Sequence, residues 1–159
     1  MSQTNELEIM ERIALDLERV EESLASSFNT GAEDFNALIR PLSAAGGKRL
    51  RAQLCLLIAN AGTSIERQRI KIAEAVEMLH LATLIHDDVL DQAEIRRGED
   101  TIHMHKGNKV AILSGDYLFA KAFKIVSEMT NMKYLQVFSH IITCLVEGEF
   151  MQMEDVYRI

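Results

Sequence analysis

Apolar residues recur along this chain at spacings of three and four. Met10, Ile13, Leu17, Val20 and Leu24 trace one face of an amphipathic first helix. Gly31 ends that helix or follows it closely. A short second helix is predicted from about Ala32 to Arg40, where Pro41 can bend or stop it. Gly46-Gly47 punctuates the chain before Lys48-Arg49-Leu50-Arg51, and a largely apolar third helix runs from there to about Asn60, closed by Gly62. Thr63 and Glu66 fit a capping box that opens a fourth helix reaching about Asp91. A loop carrying Arg96, Arg97, Gly98 and Gly107 follows. Two more helices are expected, across Val110 to about Met129 and from about Met132 onward. Few stretches alternate with period two, and no repeat, linker or low-complexity tract stands out. The expectation is one all-α domain over residues 1–159, a bundle of long antiparallel helices.

Composition narrows the functional classes. The 159 residues are 48% hydrophobic, enough for one core, with a single proline. A net charge of −7 argues against nucleic acid or an anionic membrane as the main partner. No apolar run approaches the ~20 residues of a membrane span, and no signal peptide is evident, so a cytoplasmic location is expected. Cys55 and Cys144 are far apart and read as buried, reduced thiols.

The chemistry concentrates in Asp87-Asp88-Val89-Leu90-Asp91 and Arg96-Arg97-Gly98. Asp87 and Asp91 share a helix face one turn apart, with Asp88 beside them. Convergent carboxylate oxygens suit a hard cation such as Mg²⁺, which favours one or two carboxylates plus substrate phosphate oxygens. The arginine forks match phosphate geometry. An acid pair alone is more often a solvated helix face. Here the acids follow the apolar stretch Met78 to Ile85, which puts them at the rim of something buried. Gly46-Gly47-Lys48-Arg49-Leu50-Arg51 is a second constellation: glycines before a helix start let the backbone approach an anion, and Lys48 and Arg51 share a face. His80 lies two turns before Asp87 on the same face. It is either a ligand donor or a satisfied core histidine.

Taken together, these segments resemble the trans-isoprenyl diphosphate synthases, the all-α polyprenyl synthetase family. The matching residues are Gly47 to Arg51, His80, Leu84 to Asp91, Arg96-Arg97-Gly98, Gly115-Asp116-Tyr117-Leu118, and Gly148-Glu149 with Gln152. The resemblance implies an isoprenoid synthase fold, of which this chain is the N-terminal half. It implies a Mg²⁺-dependent prenyltransferase that condenses an allylic diphosphate with isopentenyl diphosphate. By position, it makes Asp87 and Asp91 metal ligands supported by Asp88, all three catalytic. Arg96 would bind the allylic diphosphate; Lys48, Arg51, His80 and Arg97 would hold isopentenyl diphosphate; Glu149 and Gln152 would line the pocket mouth. A homodimer is implied as well, with apolar faces around Leu118, Phe119, Phe123, Val137 and Ile141 serving as interface or as ordinary core.

One departure matters. The family carries a second aspartate-rich motif in its C-terminal half, and nothing after Gln152 supplies it: Glu154-Asp155 lacks the pattern. The chain is then either half of a longer enzyme or a partial chain that needs a C-terminal-half partner, and alone it is expected to be inactive. A regulatory subunit that only binds or dimerises is the non-enzyme alternative. A terpene cyclase is disfavoured, because one diphosphate substrate has no use for Lys48, Arg51 and Arg97. In the family, the residue five before the first aspartate often forms the floor of the elongation tunnel. Here it is Ala82, with Thr83 beside it and Met78 below, and small or flexible residues there imply a medium or long product. Ala82 is otherwise a site of close helix packing.

Overall fold

The computed structural model describes residues 3–28, 33–44, 47–62 and 66–156. Gly31, Ala32, Gly46 and Thr63, on which some helix boundaries were expected to turn, lie outside them. Seven helices are described: α1 (Gln3–Ser27), α2 (Glu33–Ala44), α3 (Leu50–Asn60), α4 (Glu66–Leu90), α5 (Ile102–Lys106), α6 (Asn108–Ser127) and α7 (Met132–Val156). The all-α expectation holds apart from a small hairpin, β1 (Ile95–Arg96) and β2 (Glu99–Asp100), paired antiparallel. α2 runs through Pro41 to Ala44, so the ring removes one helical hydrogen bond without ending the helix.

α4 is the central element. Ala73, Ala75, Met78, Leu79, Leu81, Ala82 and Ile85 are buried on it, against the inner residues of α1, α3 and α6. Polar locks fix its register. Arg69 grips the buried Asp16 of α1 through Nε at 2.6 Å and Nη2 at 3.1 Å. Glu74, fully buried, accepts hydrogen bonds from Ser23, Ser27 and Lys71. Removing one member of such a buried pair costs about 3–5 kcal/mol, because the other charge is left uncompensated.

α4 and α6 cross closely at Gly115. A β-carbon there would fall 2.2 Å from His86 Nε2, whose ring sits 3.1 Å from the Ile112 carbonyl oxygen and stacks at a tilt on Phe119. Only glycine leaves room for that imidazole.

Burial departs from the apolar pattern at three places. Met10 is exposed although it continues the first apolar stripe, while Ile13, Val20 and Leu24 are core. α3 buries only Ala52 and Leu56 and leaves Leu50, Leu54, Leu57 and Ile58 open. Cys144 is exposed on α7, and Cys55 is half-buried; both are free thiols. Burial, and then the charge of Glu77, push the Cys55 thiol up, which lowers its thiolate fraction. Leu118 is fully buried and so belongs to the core rather than an interface, whereas Val137 and Ile141 are exposed.

Candidate functional site

The end of α4 decides where its acids point. The helix closes with a Schellman motif: the Ala93 N–H reaches the Asp88 carbonyl at 2.9 Å, the Gln92 N–H reaches that of Val89 at 3.4 Å, and Gln92 takes a left-handed φ of 52°. Asp87 and Asp88 therefore sit in the last helical turn, and Asp91 at its cap. The chain then reverses through Arg97-Gly98, both at positive φ (56° and 87°), the requirement of a two-residue type I′ hairpin turn. A plain loop was expected here. The hairpin instead brings Arg96 back onto α4.

Asp87 and Asp88 face different spaces. Asp87 lines a cavity of about 300 Å³ between α4, α6 and α7, with Thr83, His86, Phe119 and Glu149. Its α7 wall is the stripe Ile142, Leu145, Val146, Glu149, Phe150 and Met153, apolar except for one carboxylate. Burial raises the Asp87 pKa, and the charges of Glu149 and Asp91 raise it further, with Arg96 opposing. Asp88 is buried and accepts a 2.5 Å hydrogen bond from Arg96 Nε. Both line a second cleft of about 600 Å³ between α2, α4, the hairpin and α5, which Arg97 and His105 also border.

The basic residues gather beside this. A side chain at Gly47 would meet the Arg97 guanidinium at 3.6 Å, so the start of the basic loop lies against the hairpin turn. His80 is half-buried; burial lowers its pKa first, and the charges of Arg51, Arg97 and Arg96 lower it further. Arg51, Arg96, Arg97 and His80 thus share one electrostatic neighbourhood. Lys48 is exposed on the same loop.

Two assignments land apart from the rest. Gln152 is exposed and outside the residues lining the cavity, whereas Glu149, three residues earlier, lines it with Asp87. Of the three tunnel-floor residues, Thr83 lines the cavity, while Ala82 and Met78 are fully buried. Phe123 and Phe138 meet edge to face, 5.5 Å apart, across α6 and α7. Sequence reasoning missed the α7 wall, although its spacing of three and four is legible once Glu149 is taken as part of the stripe. It also missed Glu77, and it gave Arg49 no role apart from its place in the motif Gly47 to Arg51.

The donor set at the end of α4 fits a divalent cation. Asp87 and Asp91 offer oxygen only, one turn apart, and after burial it is the charges of Glu149 and Asp91 that raise the Asp87 pKa. Among the described residues no three His, Cys, Asp or Glu side chains converge on one point. A cation held here therefore takes further oxygens from a ligand, which suits Mg²⁺ with a diphosphate.

Comparison with known proteins agrees with this geometry. The family model described as Polyprenyl synthetase matches residues 32–158. The chain is 32% identical to octaprenyl diphosphate synthase of Escherichia coli (strain K12) over 148 residues, covering 93% of this chain and 46% of that protein. It is 38% identical to heptaprenyl diphosphate synthase component 2 of Geobacillus stearothermophilus, covering 90% and 45%. A polyprenyl synthase of Caulobacter crescentus CB15, solved with calcium and isoprenyl diphosphate, superposes with a TM-score of 0.85 at 35% identity, covering 91% of this chain and 44% of that one. The chain thus spans less than half the length of these relatives. With the helical architecture, the aspartate-bearing α4 and the match over residues 32–158 together, this chain belongs to the polyprenyl synthetase family.

Proposed function

We propose that this chain forms the diphosphate-handling half of a Mg²⁺-dependent prenyltransferase, which joins an allylic diphosphate to isopentenyl diphosphate and makes a polyprenyl diphosphate of medium or long chain. One observation carries the reading: the end of α4 puts Asp87 on an apolar cavity and, one residue on, Asp88 with Arg96 on a second, charged cleft that Arg97 lines together with Glu99 and Asp100. Two diphosphates, one with a growing apolar tail, need such a divided site. The names of the octaprenyl and heptaprenyl relatives, and the isoprenyl diphosphate in the Caulobacter structure, support it.

Asp87 and Asp91 would hold Mg²⁺, which supplies charge neutralisation for the departing diphosphate. Arg96, aimed by Asp88, binds the allylic diphosphate. Lys48, Arg51, His80 and Arg97 hold isopentenyl diphosphate. His80, whose pKa burial lowers in the free chain, donates a hydrogen bond to that diphosphate. The cavity behind Asp87 offers an apolar lining to the allylic tail, and keeping water from the allylic cation requires its exposed α7 wall to be covered. Thr83 lines that cavity, Ala82 and Met78 back it, and the small side chains leave room for elongation. Glu149 stands at the mouth with Gln152 beyond it.

The exposed apolar residues of α7, among them Val146, Phe150 and Met151, favour a second element of the reading. The site works only when a partner covers that face, as a homodimer or a complex with a polypeptide bearing the remaining metal ligands. We place the protein in the cytoplasm; among the described residues no helix is long and apolar enough to cross a membrane.

The test is condensation by an assembly that turns over. Asp87→Asn and Asp91→Asn each lower turnover about 100-fold or more with helicity intact by circular dichroism. Near-normal turnover by both at saturating Mg²⁺ overturns the metal assignment. Arg97→Ala raises KM for isopentenyl diphosphate and Arg96→Ala that for the allylic substrate; equal effects on both would undo the division.

A further inference from the structure

Arg49 sits in the middle of the basic loop, yet it is buried while Lys48 and Arg51 on either side are exposed. Its backbone is left-handed, with φ of 45°, just before α3 begins. That turn sends its guanidinium inward, where it forks onto Glu21 of α1 at 2.5 and 3.0 Å. Its Nη1 also lies 3.5 Å from Glu77 Oε2 on α4. The other oxygen of Glu77 accepts the Ala52 backbone N–H at 3.0 Å. Ala52 is the third residue of α3, where a helix has no internal partner for its N–H. A buried carboxylate from another helix therefore caps α3.

The chain is held on both sides of the residues expected to meet diphosphate. Arg49 anchors the backbone next to Lys48, and Ala52 anchors it next to Arg51. Gln53 adds a bond from its side-chain amide to the Lys48 carbonyl at 2.5 Å. Glu77 is also one turn before His80 on α4, so one carboxylate ties the basic loop to the helix that carries the histidine. We infer that Glu77, with Arg49, is a positioning residue that fixes the α3 N-terminus and through it sets Lys48 and Arg51 around a bound diphosphate; this rests on the cationic-site reading above. A generic core pair explains neither the cap on Ala52 nor the placement of an arginine between two exposed basic residues.

The probe is inorganic diphosphate with Mg²⁺, measured by calorimetry on the full chain, together with amide exchange at Ala52. Glu77→Gln is nearly isosteric but turns an amide NH₂ or a neutral oxygen toward one of the two partners. It weakens diphosphate binding about 10-fold or more and speeds Ala52 exchange. Asp16→Asn breaks the other buried pair between α1 and α4 and lowers the melting temperature, but leaves binding within about twofold. Arg51→Ala sets the scale of a direct loss. If E77Q binds as tightly as the unaltered chain with Ala52 still protected, the inference is wrong. If the unaltered chain itself does not bind diphosphate, the cationic-site reading fails. Ala52 exchange then decides the brace alone: faster in E77Q supports it, unchanged overturns it. Should E77Q be unfolded by circular dichroism, Arg49→Lys, which keeps the charge but not the fork, replaces it with the same outcomes.

Discussion

Asp87 and Asp88 are adjacent, and the fold treats them in opposite ways. Asp88 is paired at 2.5 Å with Arg96 and serves the arginine. Asp87 has acids for neighbours and an upward-shifted pKa, caused by burial and then by Glu149 and Asp91. A carboxyl raised in the fold stabilises the protein while protonated, below its unfolded value, and that contribution is lost as pH rises through the folded value. Ionised Asp87 is therefore a liability to stability at neutral pH. Asp87→Asn should raise the melting temperature at pH 7, with the gain vanishing as the buffer approaches the ordinary carboxylate range. A variant less stable at pH 7 would contradict the electrostatic picture. His80 has the opposite sense: burial and then Arg51 lower its pKa. Its contribution is present above the ordinary imidazole value and is lost as pH falls through the folded value. Bound diphosphate brings negative charge and should shift the His80 imidazole resonance toward a higher pKa in an NMR titration; no shift would remove His80 from the site.

At the scale of elements, the crossing of α4 and α6 is set by a missing side chain. Gly115→Ala places a β-carbon 2.2 Å from His86 Nε2, so the imidazole must leave the Ile112 carbonyl or the helices must part. Overpacking of this kind costs about 1–3 kcal/mol, or several degrees of melting temperature in a chain of this size. His86 also lines the cavity, so the variant should bind an apolar diphosphate less well than its loss of stability alone accounts for. A melting temperature unchanged by G115A would show that the ring moves aside freely.

Among the described residues, apolar side chains are left uncovered along α3 (Leu50, Leu54, Leu57, Ile58) and along α7. Contiguous exposure on that scale marks surfaces that meet another polypeptide. It also accords with a chain spanning less than half of its relatives. Purified alone with Mg²⁺ and both diphosphates, the chain should fold as helices but form no condensation product. Supplying a polypeptide with the remaining ligands should restore turnover and shorten the lifetime of free substrate. Robust product from the chain by itself would refute the need for a second polypeptide bearing further ligands.

The sequence determined the helices, because apolar spacing and the scarcity of proline and period-two stretches act locally. Helix ends at Asn60 and Leu90, and the start of α7 at Met132, lie within a residue or so of the pattern. It also brought forward the ordered groups of acids and bases, since residue type and spacing are written in the chain. It did not show which apolar stripe is buried. Met10 and the outer residues of α3 are exposed because burial depends on whether another element lies opposite, not on the helix's own periodicity. It set Asp88 apart as a supporting acid but did not name its partner, which an I′ turn at Arg97-Gly98 supplies by folding Arg96 back onto it. Glu77 and Arg49 are 28 residues apart in sequence, and Glu21 is 28 residues from Arg49 on the other side. A carboxylate that caps a distant helix has no local signature, because its partner is chosen by packing. That is the part only the tertiary structure decided.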